Sequence, residues 1–502
     1  MKINNELLNQ AENHIRVGQT TEAHELALSL LSKVGSLSPF ERIKLGNIFR
    51  RVGDFTATSR LLYKLARSEE ATKKIRDSAS LEYGTALIFL GLLEEGMELL
   101  RNLDIKTYPL ALMNMALGHQ QEWDYDAAVP LLEKFVMSES IDSYQRLVGE
   151  VNLQISYLSS NPSMLTWNRV QELGNMITSQ KLTLLSGVFT QIEGRFLSSQ
   201  QRFEEARAIF QKGLAQLQGV ATFDRVRLQK WFLINEFEND HKQKPLLAQW
   251  QKLKAQSLQL HDSETLRECD RYLGYYSEHS ELLNYCYHGT PYLAYQRYFS
   301  LDQVESFIDL EFNTKGEQVL LKSSDEVLLL DKLDAPFTRS SKKILPTGSS
   351  LQLILTAMTI DFYRPMTLPR LFHYAYPGQY WNPLTSPVQV RQGLFRLRQW
   401  LKSSGYNLKI YENNSKYFLA ANKKSQSVRI GPNKLTMEQK IEQKLKAQFG
   451  DTSFRFEDFN SLSEESTTTM QRHLAELLKK GIIQKEGNTR SARFKLTHHQ
   501  ST

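Results

Sequence analysis

The residues best suited to chemistry in this 502-residue chain are a run of Arg and Gln rather than nucleophiles or metal ligands. In SPVQVRQGLFRLRQWLKSSG, Val390, Leu394, Leu397 and Leu401 recur at helical spacing and define one buried stripe. The rest of that helix carries Gln389, Arg391, Gln392, Phe395, Arg396 and Gln399. Arg and Gln offer bidentate contacts to guanine and adenine edges in a DNA major groove. Two β-rich runs follow around the turn-forming Glu412-Asn413-Asn414, and Lys416 is placed to reach a phosphate or the minor groove. A second such motif is STTTMQRHLAELLKKGIIQKEGNTRSARFKL. Its Met470, Leu474 and Leu477 face inward, whereas Thr468, Thr469, Gln471 and Arg472 face outward near the helix start, where polar side chains meet bases and phosphates. The basic hairpin behind it turns at Gly487-Asn488-Thr489, flanked by Arg490 and Arg493.

Charge is segregated in the same direction. The net charge is +7, but Arg339–Thr502 carries 26 Lys and Arg against 11 Asp and Glu, which leaves the remainder acidic. Within Arg339–Gly431 the count is 14 against 2. A basic C-terminal third on an acidic body implies a polyanion partner. Enzyme signatures are missing: there is no phosphate-binding glycine loop, paired metal-binding histidines or nucleophile elbow, so no catalytic step and no cofactor is expected. Cys269 and Cys286 cannot build a disulfide framework, and His279, Cys286 and His288 make an incomplete zinc set. No run approaches the ~18 apolar residues of a membrane helix, and the polar start lacks a signal-peptide layout, so a cytoplasmic protein is expected.

The elements that must position the first motif come in a telling order. After Asp309, LEFNTKGEQVLLKSSDEVLLLDKL alternates β-rich runs with turn residues. SSLQLILTAMTIDFY reads as a helix, and TLPRLFHYAY as a second one opened by Thr367. The Arg/Gln helix is third, capped by Ser386 with Pro387 at its first position and ended by Gly405. Strands, three helices and a hairpin over roughly Asp309–Ala421 resemble the winged-helix effector domain of OmpR/PhoB-type response regulators, and Arg398 follows its leucine as in that family's Leu-Arg pair. The resemblance implies double-stranded DNA binding. It also implies that the loop PGQYWNPLTSP, with an exposed-looking Tyr380-Trp381, contacts RNA polymerase. The family's phosphoacceptor domain is absent, and a repeat array takes its place. LTMEQKIEQKLKAQFG is a helix ending at Gly450, and with an N-cap at Ser463 the second motif resembles the recognition helix and wing of many bacterial winged helices.

The N-terminal half repeats. Gly46 with Leu62, Gly84 with Leu100, and Gly194 with Phe210 hold matching places in pairs of helices. The small residues Ala23, Thr58, Gly96, Ala128 and Ala206 are spaced by 35, 38, 32 and 78. This resembles the tetratricopeptide repeat, whose period is about 34. Small residues let antiparallel helices approach, and the large one fills the groove to the next hairpin. The concave face of such an array binds a peptide or protein, or is a passive scaffold. The tyrosine-rich stretch with Tyr272, Tyr275, Tyr276, Tyr285, Tyr287, Tyr292, Tyr295 and Tyr298 caps the array against the next domain, or lines a ligand pocket.

The fold class expected is therefore mainly α, a helical-hairpin superhelix followed by two winged-helix α+β domains. Boundaries fall at 1–300 for the array, 301–422 for the first winged helix, 423–434 for a linker and 435–502 for the second. The function expected is sequence-specific DNA binding to regulate transcription, with the array receiving a signal or a partner. The alternative is an assembly scaffold whose winged helices make protein contacts. The repeats are expected to bury their own core and fold without residues 339–502.

Overall fold

The structure is a computed structural model. It describes residues 2–16, 19–180, 183–218, 222–240, 244–260, 262–277, 280–299, 304, 349–404 and 407–421. It also describes strands at 308–312, 318–321, 328–331, 335–338 and 426–430, and, further on, 445, 449, 452–460, 467–479, 483–486 and 493–496. The chain divides into two compact units, Met1–Pro432 and Asn433–Thr502.

The first unit opens with an array of helical hairpins. In order they are α1 (Lys2–Arg16) with α2 (Thr20–Leu31), α3 (Pro39–Arg51) with α4 (Phe55–Ala66), α5 (Lys73–Phe89) with α6 (Leu93–Arg101), and α7 (Leu110–Gln121) with α8 (Tyr125–Val136). Then come α9 (Ser143–Ser160) with α10 (Trp167–Ser179), α11 (Thr183–Ser199) with α12 (Phe203–Gln216), α13 (Thr222–Asn239) with α14 (Lys244–Leu260), and α15 (Ser263–Ser277) with α16 (Ser280–His288). The hairpins thus continue through Val226–His288, where the sequence shows helices without a repeat.

One turn recurs between the paired helices. The N–H of Asp54 bonds the carbonyl of Phe49 at 2.8 Å, and Leu92 to Leu87, Asp124 to His119 and Arg202 to Leu197 do the same at 2.9 Å. This six-residue closure needs a left-handed residue just before the donor. Gly53 and Gly91 fill that place at φ +87° and +86°, but Trp123 and Gln201 also adopt it, at 62° and 59°. Asp54 and Asp124 then cap the next helix through the N–H groups of Ala57 and Ala127.

The small-to-large pairs meet as their spacing requires. A Cβ on Gly46 would stand 2.5 Å from Leu62, and one on Gly194 2.5 Å from Phe210. A Cβ on Gly84 would stand 3.2 Å from both the carbonyl of Gly96 and the side chain of Leu100. Ala23, Thr58, Ala128 and Ala206 are fully buried. Polar bonds also step from hairpin to hairpin, as in Arg50 to Glu82, Gln120 to Ser156, Arg195 to Ser159 and Lys230 to Glu264.

The array is followed by four strands, β1 (Ile308–Phe312), β2 (Gln318–Leu321), β3 (Leu328–Asp331) and β4 (Ala335–Thr338). Three helices come next, α17 (Ser350–Ala357), α18 (Leu368–Ala375) and α19 (Ser386–Ser403), and then the hairpin β5 (Leu408–Asn413) and β6 (Lys416–Ala421). Met366, before α18, forms an isolated bridge with Tyr417, adding a short third edge to that hairpin.

Three expectations are corrected here. The segment read as linker holds a strand, β7 (Gln426–Ile430), in a sheet ordered β2-β1-β7-β3-β4. It runs antiparallel to β1 and parallel to β3, pairing Leu310 with Val428 and Leu330 with Ile430. Val428 and Ile430 do alternate with polar residues, but seven Lys, Ser, Gly and Pro residues between 423 and 434 read as loop. Without β7 the hairpins β1–β2 and β3–β4 would each keep an open edge. Next, Ser386 is the first residue of α19 rather than a cap on its amides; its hydroxyl accepts the N–H of Asn382 at 2.9 Å. Finally, the β5–β6 turn lies one residue later than expected, at Asn414 and Ser415, both left-handed at φ 49° and 60°, as a two-residue hairpin turn requires.

The array does not bury its core alone. Leu62, Ala66, Ala79, Tyr83, Leu87 and Leu92 of α4–α6 share one hydrophobic cluster with Ile354, Leu371, Phe372, Leu394, Leu397 and Trp381. At the other end of the array, Asp361 between α17 and α18 receives Arg267 of α15 at 3.2 Å and Arg370 at 3.4 Å, and Tyr363 donates to Asp270 at 2.9 Å. Part of the tyrosine-rich stretch packs inward too: Tyr295 is fully buried and meets Trp123 at 4.6 Å, while the exposed Tyr298 donates to the carbonyl of Ser159.

The second unit contains α20 (Phe456–Asn460), α21 (Thr467–Lys479) and the hairpin β8 (Ile483–Glu486) with β9 (Arg493–Leu496). Its core joins Met470, Leu474 and Leu477 to Leu445, Phe454, Phe459, Ile483, Phe494 and Leu496.

Candidate nucleic-acid interface

Helix α19 is amphipathic in the way its sequence demands. Val390, Leu394, Leu397 and Leu401 are buried among α17, α18 and the β5–β6 hairpin. Arg391, Gln392, Phe395, Arg396 and Gln399 are exposed and Gln389 is half-buried, its carbonyl accepting the phenol of Tyr376. No acidic residue occurs anywhere in the helix. The two arginines lean to opposite sides. Arg391 comes near Tyr417 in β6, whose phenol is pushed up by burial and by Glu412 against the pull of Arg391, while Arg396 comes near Tyr376 beyond α18. Arg398 donates to the carbonyl of Ile410 and ties the helix to the hairpin. Lys416 pairs with Asn413 at the hairpin turn, so it stands at the tip.

The loop between α18 and α19 is where the structure departs from expectation. Tyr380 is 55 % exposed, but Trp381 is only 3 % exposed and packs edge-on against Phe372 at 5.3 Å. The Trp381 N–H donates to Glu95 at 2.8 Å, and its carbonyl accepts the phenol of Tyr83 at 3.1 Å. The Tyr380 hydroxyl donates to Glu98 at 2.9 Å, and Arg67 lies over its ring at 4.5 Å. Arg67 also pairs with Glu95. Burial holds the Glu95 carboxyl above its ordinary range, opposed by the Trp381 amide and Arg67. The loop sequence looks exposed because its apolar neighbours lie in α18 and its polar partners in α4–α6. Its contacts in this chain are therefore with the chain's own array.

In the second unit Gln471 and Arg472 are exposed on α21. Arg493 is exposed on β9 and donates to Ser453 at 3.3 Å. Thr468 and Thr469 lie in the first turn of α21, but their side chains are outside the described residues. Asn488, Arg490, Ser463, Gly405, Gly450 and His279 are also outside them. Cys269 and Cys286 are buried free thiols; burial pushes Cys286 up to about 12.

Sequence reasoning missed Tyr83, Glu95 and Asp361, which hold the module, and Val388, which is exposed at the head of α19. Only Val388 carried a local signal, since it falls opposite the leucine stripe.

No protein-family model and no curated protein matches the chain. Among solved structures it is similar to a Rap protein complexed with competence and sporulation factor, at 9 % identity over 57 % of this chain and 86 % of that one, with a TM-score of 0.45. It is also similar to the P58(IPK) TPR domain, at 15 % identity over 60 % of this chain and 94 % of that one, with a TM-score of 0.18. Among the described residues no helix is long and apolar enough to cross a membrane.

Proposed function

We propose that this chain is a helical-repeat interaction scaffold that carries a winged-helix module on its own array and presents the module's third helix to a partner. One observation carries the reading. Helices α17–α19 share a core with α4–α6 and a buried charge cluster with α15, yet the polar face of α19 is left open. An array that grips a module at two places fixes where that face points. The test is amide hydrogen exchange on the full chain. Glu95→Ala should lower protection across 368–403; unchanged protection would mean that the array does not hold the module.

A second reading names the partner as double-stranded DNA, and the composition of the open face favours it. Arg391, Gln392, Arg396 and Gln399 stand together with no carboxylate on the helix, in a segment of strong positive charge. Gln471 and Arg472 on α21 would form a second contact helix, making the chain a transcriptional regulator with two reading heads. The measurement is fluorescence anisotropy with genomic duplex fragments against salt. Affinity should fall by roughly 0.9 log units per log unit of salt for each phosphate neutralised. Absence of binding at low salt leaves a protein as the partner of α19.

A further inference from the structure

The open face of α19 is not uniformly polar. At 100° per residue, the face away from the leucine stripe is centred on Gln399, Val388, Gln392 and Phe395, with Arg391 and Arg396 on its two flanks about 140° apart. Phe395 is 59 % exposed and Val388 51 % exposed, and Leu384 just before the helix is exposed as well. Two large apolar side chains in the middle of a basic helix face have no partner in the core: the buried cluster beneath uses Val390, Leu394 and Leu397 instead. A surface of this kind marks a contact site.

The flanking charge selects the occupant. A helix with Arg391, Arg396 and Lys402 and no acid suits a polyanion, and in a duplex major groove the only apolar group on a base edge is the C5-methyl of thymine. We infer that Phe395, with Val388 two turns before it, packs on thymine methyl groups while Arg391 and Arg396 grip to either side. The inference rests on the DNA reading above and deepens it: the preferred site contains thymine opposite the centre of α19. It also gives the arginines a different weight. Arg391 lies closer to Phe395 round the helix than Arg396 does, about 40° against 100°, and with apolar groups between them sequence preference comes from the middle of the helix as well as from its edges.

The test separates the methyl group from everything else. Full-length protein selects duplexes from a randomised pool, and the enriched duplexes are then remade with uracil in place of each thymine in turn. Uracil pairs as thymine does and lacks only the methyl. At one position or more the change should weaken binding about fourfold, the worth of one buried methyl-sized group. Phe395→Ala should bind the thymine and uracil duplexes equally, whereas Phe395→Met should keep part of the difference. Phe395 is exposed, so circular dichroism of the variants should match the parent. Enriched duplexes indifferent to uracil, or a uracil penalty that survives Phe395→Ala, would overturn the inference and leave the DNA reading standing. No duplex bound at low salt would overturn both.

Discussion

The phenol of Tyr83 donates to the backbone carbonyl of Trp381 at 3.1 Å, across 298 positions of chain. The N–H of the same tryptophan is taken by Glu95. Both backbone polar groups of this buried loop residue are thus satisfied by the array, and a buried group left unpaired costs about 1–3 kcal/mol. Tyr83→Phe should therefore destabilise the chain by about 1–3 kcal/mol in urea unfolding, with the same cost or more for Glu95→Ala, which also strips Arg67 of its partner. Two neutral substitutions would show that the loop docks by apolar packing alone.

Asp361 gives a prediction in pH. Its carboxylate is fully buried, and the burial is outweighed by Arg267, Arg370 and Arg364, so its folded-state value lies below the ordinary one. A depressed carboxyl contributes stability above its unfolded value, about pH 4, and loses it as pH falls toward the folded value. Asp361→Asn should cost about 3–5 kcal/mol at neutral pH, because Arg267 stays buried without its anion. The gap between parent and variant should narrow below pH 4, as read by thermal unfolding in a pH series.

Gly194 and Phe210 test the repeat packing. A methyl on Gly194 would lie 2.5 Å from the Phe210 ring, closer than atoms approach. Gly194→Ala should cost about 1–3 kcal/mol through overpacking. Adding Phe210→Leu should recover part of that loss in a double-mutant cycle; strict additivity of the two changes would show that they do not touch in solution.

Removing residues 339–502 strips the shared core from α4–α6 and exposes Tyr83, Leu87 and Leu92. The fragment should keep helical circular dichroism but unfold at lower urea than the full chain and bind a hydrophobic dye. An equal midpoint would mean that the array is self-sufficient, as its repeats alone suggest.

Arg391 and Arg396 divide the labour of DNA binding if duplex DNA is the partner. Arg396 shares a side of α19 with Gln392, and Arg391 leans to the hairpin beside Tyr417. Arg396→Ala should cost about 1–3 kcal/mol on a selected duplex and relax its sequence preference, while Arg391→Ala should weaken all sequences alike. Selection on randomised duplexes with each variant reads both outcomes, and an unchanged consensus for Arg396→Ala would remove it from base reading.

The sequence by itself determined what depends on neighbours in the chain. The spacing of Ala23, Thr58, Gly96, Ala128 and Ala206 follows from the length of one helical hairpin, and the leucine stripes of α19 and α21 with the exposed Arg and Gln opposite them follow from helical geometry, which repeats every few residues. Tertiary structure decided what depends on distant partners. Gln426–Ile430 becomes a strand only because β1 and β3 leave edges to be filled. Trp381 is buried because Phe372 and the array's α4–α6 close over it. Asp361 keeps its charge in the interior because Arg267, 94 positions earlier, is brought within hydrogen-bonding reach. Local pattern encodes which face of a helix turns inward, but the surface waiting there is supplied by a part of the chain that carries no mark of the pairing.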